Sequence, residues 1–99
     1  MWVIFDSNEV DQFIKSINLD IVECIVSIWN TSEVRISLPG KVFEFKFKTP
    51  STAKKVAYQL TCLASDDSKE VYYKFDGFRN SDNVWCGDRF KIHGMGREL

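Results

Sequence analysis

The stretch Glu33–Ala64 constrains the fold most, because it reads as a β-hairpin running straight into a helix. Val34, Ile36 and Leu38 alternate with Glu33, Arg35 and Ser37. Beyond Pro39-Gly40, Phe43, Phe45 and Phe47 alternate with Val42, Glu44, Lys46 and Lys48. A period of two sends one set of side chains to a buried face and the other to water. Pro39-Gly40 marks the reversal. An L-proline cannot take the positive φ of a tight type I′ turn, which favours a four-residue loop, Leu38–Lys41. Two- and four-residue loops share one pairing parity. Ile36 should therefore face Phe43 and Val34 should face Phe45, with Arg35 opposite Glu44 and Glu33 opposite Lys46. A three-residue loop would set apolar against polar.

The helix begins without a linker. Thr49 is suited to cap it and Pro50 to open it, since the first helical N–H has no partner to lose. Ala53, Val56, Ala57, Leu60, Leu63 and Ala64 fall on one face, which should lie on the Phe43/Phe45/Phe47 face of the sheet. Ser65-Asp66-Asp67-Ser68 ends it.

The flanks are read against this unit. Trp2–Phe5 is a short strand. Asp6 has the character of a second N-cap, with Glu9 completing a variant capping box and Phe5 and Val10 at the spacing of a hydrophobic staple. Val10, Phe13, Ile14 and Ile17 then form the stripe of a first helix. Ile21–Trp29 is taken as a strand, because Ile21, Val22, Ile25, Val26 and Ile28 are β-branched. A helix continued to Trp29 is the competing reading, since Val10, Ile14, Ile17, Ile21, Cys24 and Ile28 keep a 3-4 spacing. As a strand this segment is apolar on both faces, so it is either central or exposes an apolar patch. Glu70–Phe78 and Val84–His93 are the last two strands, the second broken by a bulge or turn at Cys86-Gly87-Asp88. The expected fold is a single α+β domain over residues 1–99. It has an antiparallel sheet of about five or six strands with two helices on one face, in the order β-α-β-β-β-α-β-β.

At 99 residues the chain has room for one core, and its 44% apolar content suits a folded protein. No apolar run approaches the ~20 residues that span a bilayer, and the N-terminus lacks the basic region of a signal peptide. Cys24, Cys62 and Cys86 are widely spaced with no C-x-x-C, which points to a reducing compartment and hence the cytoplasm.

The net charge is −1 but unevenly spread. Residues 1–33 hold Asp6, Glu9, Asp11, Asp20, Glu23 and Glu33 against Lys15. Residues 34–61 hold Arg35, Lys41, Lys46, Lys48, Lys54 and Lys55 against Glu44. The hairpin and helix thus form a basic island in an acidic chain.

No residue qualifies as catalytic, cofactor-binding or metal-ligating. His93 is the sole histidine, and no nucleophile elbow, H-E-x-x-H or P-loop is present. Tyr72, Tyr73, Arg89, Lys91 and His93 could together serve a small nuclease, but a slightly acidic chain is poorly suited to hold a polyanion.

Two binding signals remain. Arg35, Lys46, Lys48, Lys54 and Lys55 form a candidate anion or partner surface. Among the aromatics, Trp29, Trp85, Tyr72 and Phe78, with Tyr58, exceed the predicted buried faces, and such residues serve as interface anchors. Glu9, Asp11, Asp20 and Glu23 offer an acidic surface of the opposite sign. The composite expectation is a small cytoplasmic protein-binding module. It would be an inhibitor or antagonist of the immunity-protein or phage and mobile-element accessory kind, acting by occupying a partner protein's surface, with no cofactor and no membrane partner. The alternatives are a nucleic-acid-binding domain using the basic hairpin–helix surface and, third, the small nuclease. An unpaired sheet edge also leaves a homodimer open.

Overall fold

The computed structural model describes residues 1–6, 14–65 and 71–94. Among these residues seven strands and one helix follow in chain order: β1 (Trp2–Asp6), β2 (Ile14–Asn18), a 3-10 turn (Leu19–Ile21), β3 (Cys24–Ser27), β4 (Glu33–Leu38), β5 (Lys41–Phe47), α1 (Pro50–Ala64), β6 (Val71–Arg79) and β7 (Val84–Gly94). The strands form one sheet in the order β2-β1-β6-β7-β5-β4-β3. The class is α+β, as expected. The sheet is mixed rather than antiparallel, because β1 runs parallel to β6 and β5 parallel to β7. It has seven strands rather than five or six.

The hairpin carries the expected register. Val34 faces Phe45, Ile36 faces Phe43, Arg35 faces Glu44 and Glu33 faces Lys46. The loop is shorter than expected: Leu38 pairs with Lys41, leaving Pro39-Gly40 as a two-residue connection. Gly40 takes φ 73°, so proline followed by a positive-φ glycine gives the type II pattern. Thr49 caps α1, its hydroxyl accepting the Thr52 N–H at 3.1 Å. Ala53, Val56, Ala57 and Leu60 are buried against the sheet; Ala64, assigned to the same stripe, is exposed.

The expected first helix is replaced where it can be checked. Asp6 ends β1, and Ile14 and Ile17 belong to β2, which pairs antiparallel with β1 from Trp2↔Asn18 to Asp6↔Ile14. Val10, Phe13 and the capping partner Glu9 lie outside the described residues. Five rungs of ladder pair one edge of Ile14–Asn18 with β1, and isoleucine loses less rotamer freedom there than in a helix. The expected Ile21–Trp29 strand shrinks to Cys24–Ser27. Ile21 ends the 3-10 turn and Trp29 enters a turn. This strand sits at the sheet edge, and Val26 is exposed.

The sheet is strongly curled. Strands lie about 4.8 Å apart, so in a flat sheet β1 and β5 would be about 14 Å apart and β2 and β5 about 19 Å. Instead Phe5 of β1 stacks on Phe45 of β5 with ring centres 4.1 Å apart. Lys15 of β2 places its ammonium 4.2 Å from the centre of the Phe43 ring on β5. The inside of this curl is the core: Val3, Phe5, Ile17, Val34, Ile36, Phe45, Phe47, Tyr73, Phe75 and Trp85, joined by the buried face of α1. The helix covers β3, β4, β5 and β7, and the sheet's own curl closes the β1 side.

The bend in β6–β7 has a defined seat. Between Phe75↔Phe90 and Gly77↔Gly87, β7 advances three residues while β6 advances two. That bulge coincides with the expected break at Cys86-Gly87-Asp88. Gly87 has φ 142°, and any side chain there would also run into the Asp76 carbonyl, so both backbone angle and space require glycine.

Candidate functional site: an open flank of the helix

The bulge brings β7 against one side of α1. Lys55 Nζ lies 3.0 Å from Asp88 Oδ2. Gln59 donates to the Asp88 carbonyl and accepts the Phe90 N–H, both at 3.0 Å. That side of the helix is closed by polar contacts.

The other side is open. A groove of about 600 Å³ runs between the β3–β4 connection and α1. Its walls hold Trp29 from the turn, and Lys54 and Tyr58 from the helix. Trp29 is 86% exposed and Tyr58 72%, the two most exposed aromatic side chains among the described residues. Lys54 and Tyr58 are four residues apart and so share a helix face.

The turn that carries Trp29 is firmly built. The Thr31 N–H donates to the Ile28 carbonyl at 3.1 Å, and the Thr31 hydroxyl donates to the same oxygen at 2.9 Å. The Glu33 N–H returns to the Thr31 hydroxyl at 3.3 Å. Asn30 takes φ 66°, a conformation that asparagine tolerates better than most residues. One residue further, the Phe47 N–H donates to the Ser32 carbonyl at 2.7 Å. Trp29 therefore projects from a turn whose backbone is already fixed by hydrogen bonds, so little backbone freedom is left to lose on binding.

The wall of a second hollow, of about 640 Å³, begins at Thr31 and holds Lys46, Lys48 and Glu33. The structure sorts the basic residues into two groups. Arg35 pairs with Glu44 at 3.3 Å and Lys55 with Asp88. Lys46, Lys48 and Lys54 form no ion pair among the described residues, although Glu33 stands opposite Lys46 in the ladder.

The remaining candidates fall elsewhere. Trp85 is only 3% exposed and packs edge-on against Phe5, Phe45 and Phe75. It is a core residue and not a surface anchor, because the curl of the sheet encloses it. Phe78 is 41% exposed and Tyr72 half-buried on β6, strands away from the groove. Asp20 pairs with the N-terminal ammonium at 2.9 Å, and Glu23 is exposed. Glu9 and Asp11 lie outside the described residues.

Of the nuclease grouping, the strand period sets Tyr73 apart, buried in the core, and leaves Tyr72, Arg89 and Lys91 on the other face of β6–β7. Arg89 and Lys91 are exposed and bind one carboxylate, Asp76, at 3.1 and 3.3 Å. The Arg89 hydrogen bond first, and Lys91 after it, hold the Asp76 carboxyl below its ordinary range. His93 stands opposite Tyr72 in the ladder. Cys24 and Cys62 are exposed thiols and Cys86 is buried. No group of three His, Cys, Asp or Glu gathers among the described residues, and no helix there is long and apolar enough to cross a membrane.

Sequence reasoning had placed Tyr58 off the buried faces without choosing it as an anchor. The signal was present, since Tyr58 follows Lys54 by one helical turn on the side away from the Ala53–Leu60 stripe. Comparison with known protein families, curated proteins and solved structures returns no match.

Proposed function

We propose that this chain is a small non-catalytic binding module that occupies a partner protein's surface, acting as an inhibitor or antagonist, with the open flank of α1 as its contact centre. The observation that carries this reading is the groove in which Trp29 and Tyr58 stand largely exposed on an ordered turn and a helix. Exposing two large aromatics on ordered elements gains nothing for folding, whereas aromatic anchors dominate interface energetics. Three exposed lysines, which form no ion pair among the described residues, supply a charged rim. The three free thiols suit a reducing compartment such as the cytoplasm.

The test is affinity capture from nuclease-treated lysate of the source cell. Wild type should retain one stoichiometric protein, and Trp29→Ala/Tyr58→Ala should lose it while remaining folded. Capture that is equal in the two, or absent from both, contradicts the reading.

A second reading, binding of nucleic acid, draws on the same open lysines beside stacking aromatics. It predicts recovery that collapses with nuclease and an affinity that falls steeply with salt. A flat salt response excludes it.

A further inference from the structure

We propose that the groove takes an acidic, extended segment of the partner, added as a strand along the free edge of β3, with an apolar side chain seated against Trp29 and Tyr58. This rests on the protein-binding reading above and specifies its ligand.

Three observations converge on it. The first is the edge. Among the described residues β3 pairs only with β4, so its outer backbone groups face away from the sheet. Cys24-Ile25-Val26-Ser27 contains no charge and no proline, and Cys24 and Val26 are exposed. Edge strands are ordinarily protected by charged residues or proline. The opposite edge, β2, does carry a lysine, Lys15.

The second is continuity. Ser27 and Ile28, where β3 ends, line the groove together with Trp29 and Tyr58. A strand laid on β3 runs into the groove, and alternate side chains then face α1.

The third is charge. Among the described residues the groove wall contains Lys54 and no carboxylate, and the adjoining hollow holds Lys46 and Lys48 against Glu33. The complementary segment is acidic.

The same features weigh against other occupants. Holding a run of phosphates calls for several cations, whereas the two hollows offer Lys46, Lys48 and Lys54, and a nucleic acid has no peptide backbone to extend a sheet. A second copy with this groove on a two-fold axis would set each lysine cluster close to its own image.

The probe is a displayed library of random peptides. Lengths of about twelve residues suffice to cover β3 and reach the groove at about 3.3 Å per residue. Selection uses the full chain, with Trp29→Ala/Tyr58→Ala as counter-selection. Enriched peptides should carry Asp or Glu around an aliphatic or aromatic residue. Their affinity should fall about tenfold on Lys46→Glu/Lys48→Glu/Lys54→Glu, the order expected from losing three exposed ion pairs. Their binding should also slow amide exchange across Cys24–Ser27. The inference is overturned by no enrichment, by neutral or basic peptides, by indifference to the charge reversal, or by unchanged exchange in β3. It is likewise overturned if labelled oligothymidylate binds through Trp29 in their place. Should lysate capture depend on Trp29 and Tyr58 while selected peptides are not acidic, this inference fails and the protein-binding reading stands.

Discussion

On the flank of α1 facing β7, Lys55 and Gln59 reach Asp88 and Phe90, and each polar group finds a partner. On the flank facing the Trp29 turn, Lys54 and Tyr58 form neither ion pair nor hydrogen bond among the described residues, and the aromatics stand in water. One helix thus meets the protein in two ways. The closed flank is explained by folding: it fastens the helix over the bulge and satisfies the Phe90 N–H. The open flank leaves its two aromatics in water yet is held by an ordered turn, the arrangement from which the docking surface is proposed.

The contrast can be probed at both flanks. Leu60 is fully buried on the face they share, and Leu60→Ala should cost about 2–5 kcal/mol. Out of a total of about 5–15 kcal/mol for a domain of this size, chemical denaturation will register this loss, and both flanks fail together. Gln59→Ala breaks the closed flank alone. It removes two hydrogen bonds and leaves a part-buried N–H without its acceptor, at about 1–3 kcal/mol. A Tm unchanged by that substitution would remove the distinction between the flanks.

A third variant concerns the strand that supplies the closed flank. Arg89 and Lys91 hold the Asp76 carboxyl below its ordinary range, so the folded state favours its charged form. The stabilisation is present above the ordinary carboxylate pKa of about 3.9 and is lost as pH falls through the lower folded value. Asp76→Asn should therefore be less stable than wild type at neutral pH and converge with it in strong acid. Parallel pH–stability curves would contradict the pairing. The smallest effect belongs to the open flank: Trp29→Ala and Tyr58→Ala should each change stability by no more than about 0.5 kcal/mol.

These differences also bound what the sequence reveals. The β4–β5 register and the start of α1 were legible because they depend on local rules: period-two alternation, a Pro-Gly reversal and a threonine cap. The segment Ile14–Ser27 was harder to read, since isoleucines spaced three and four apart suit a helix as well as paired strands. Only the partners Trp2–Asp6 and β4 decide between them. The curl that brings Phe5 onto Phe45 is non-local and leaves no mark in either strand, so Trp85 looked like a surface anchor when it is core. At the site, the basic residues were legible as a set. Their division was legible only in part: the hairpin register set Arg35 against Glu44, but it equally set Lys46 against Glu33, with which it forms no ion pair, and the Lys55–Asp88 pair depends on where β7 falls. Trp29 and Lys54 meet only after the hairpin has folded beside the helix.

The most direct test measures stability and partner capture in the same three proteins: wild type, Gln59→Ala and Trp29→Ala/Tyr58→Ala. The account predicts that Gln59→Ala lowers Tm by roughly 4–8 °C per kcal/mol lost and still captures the partner at a temperature where it is folded. Trp29→Ala/Tyr58→Ala should lower Tm by less than Gln59→Ala does and lose the partner. If the aromatic pair proves to be the stabilising element, or the partner stays bound without it, the open flank is not a docking surface.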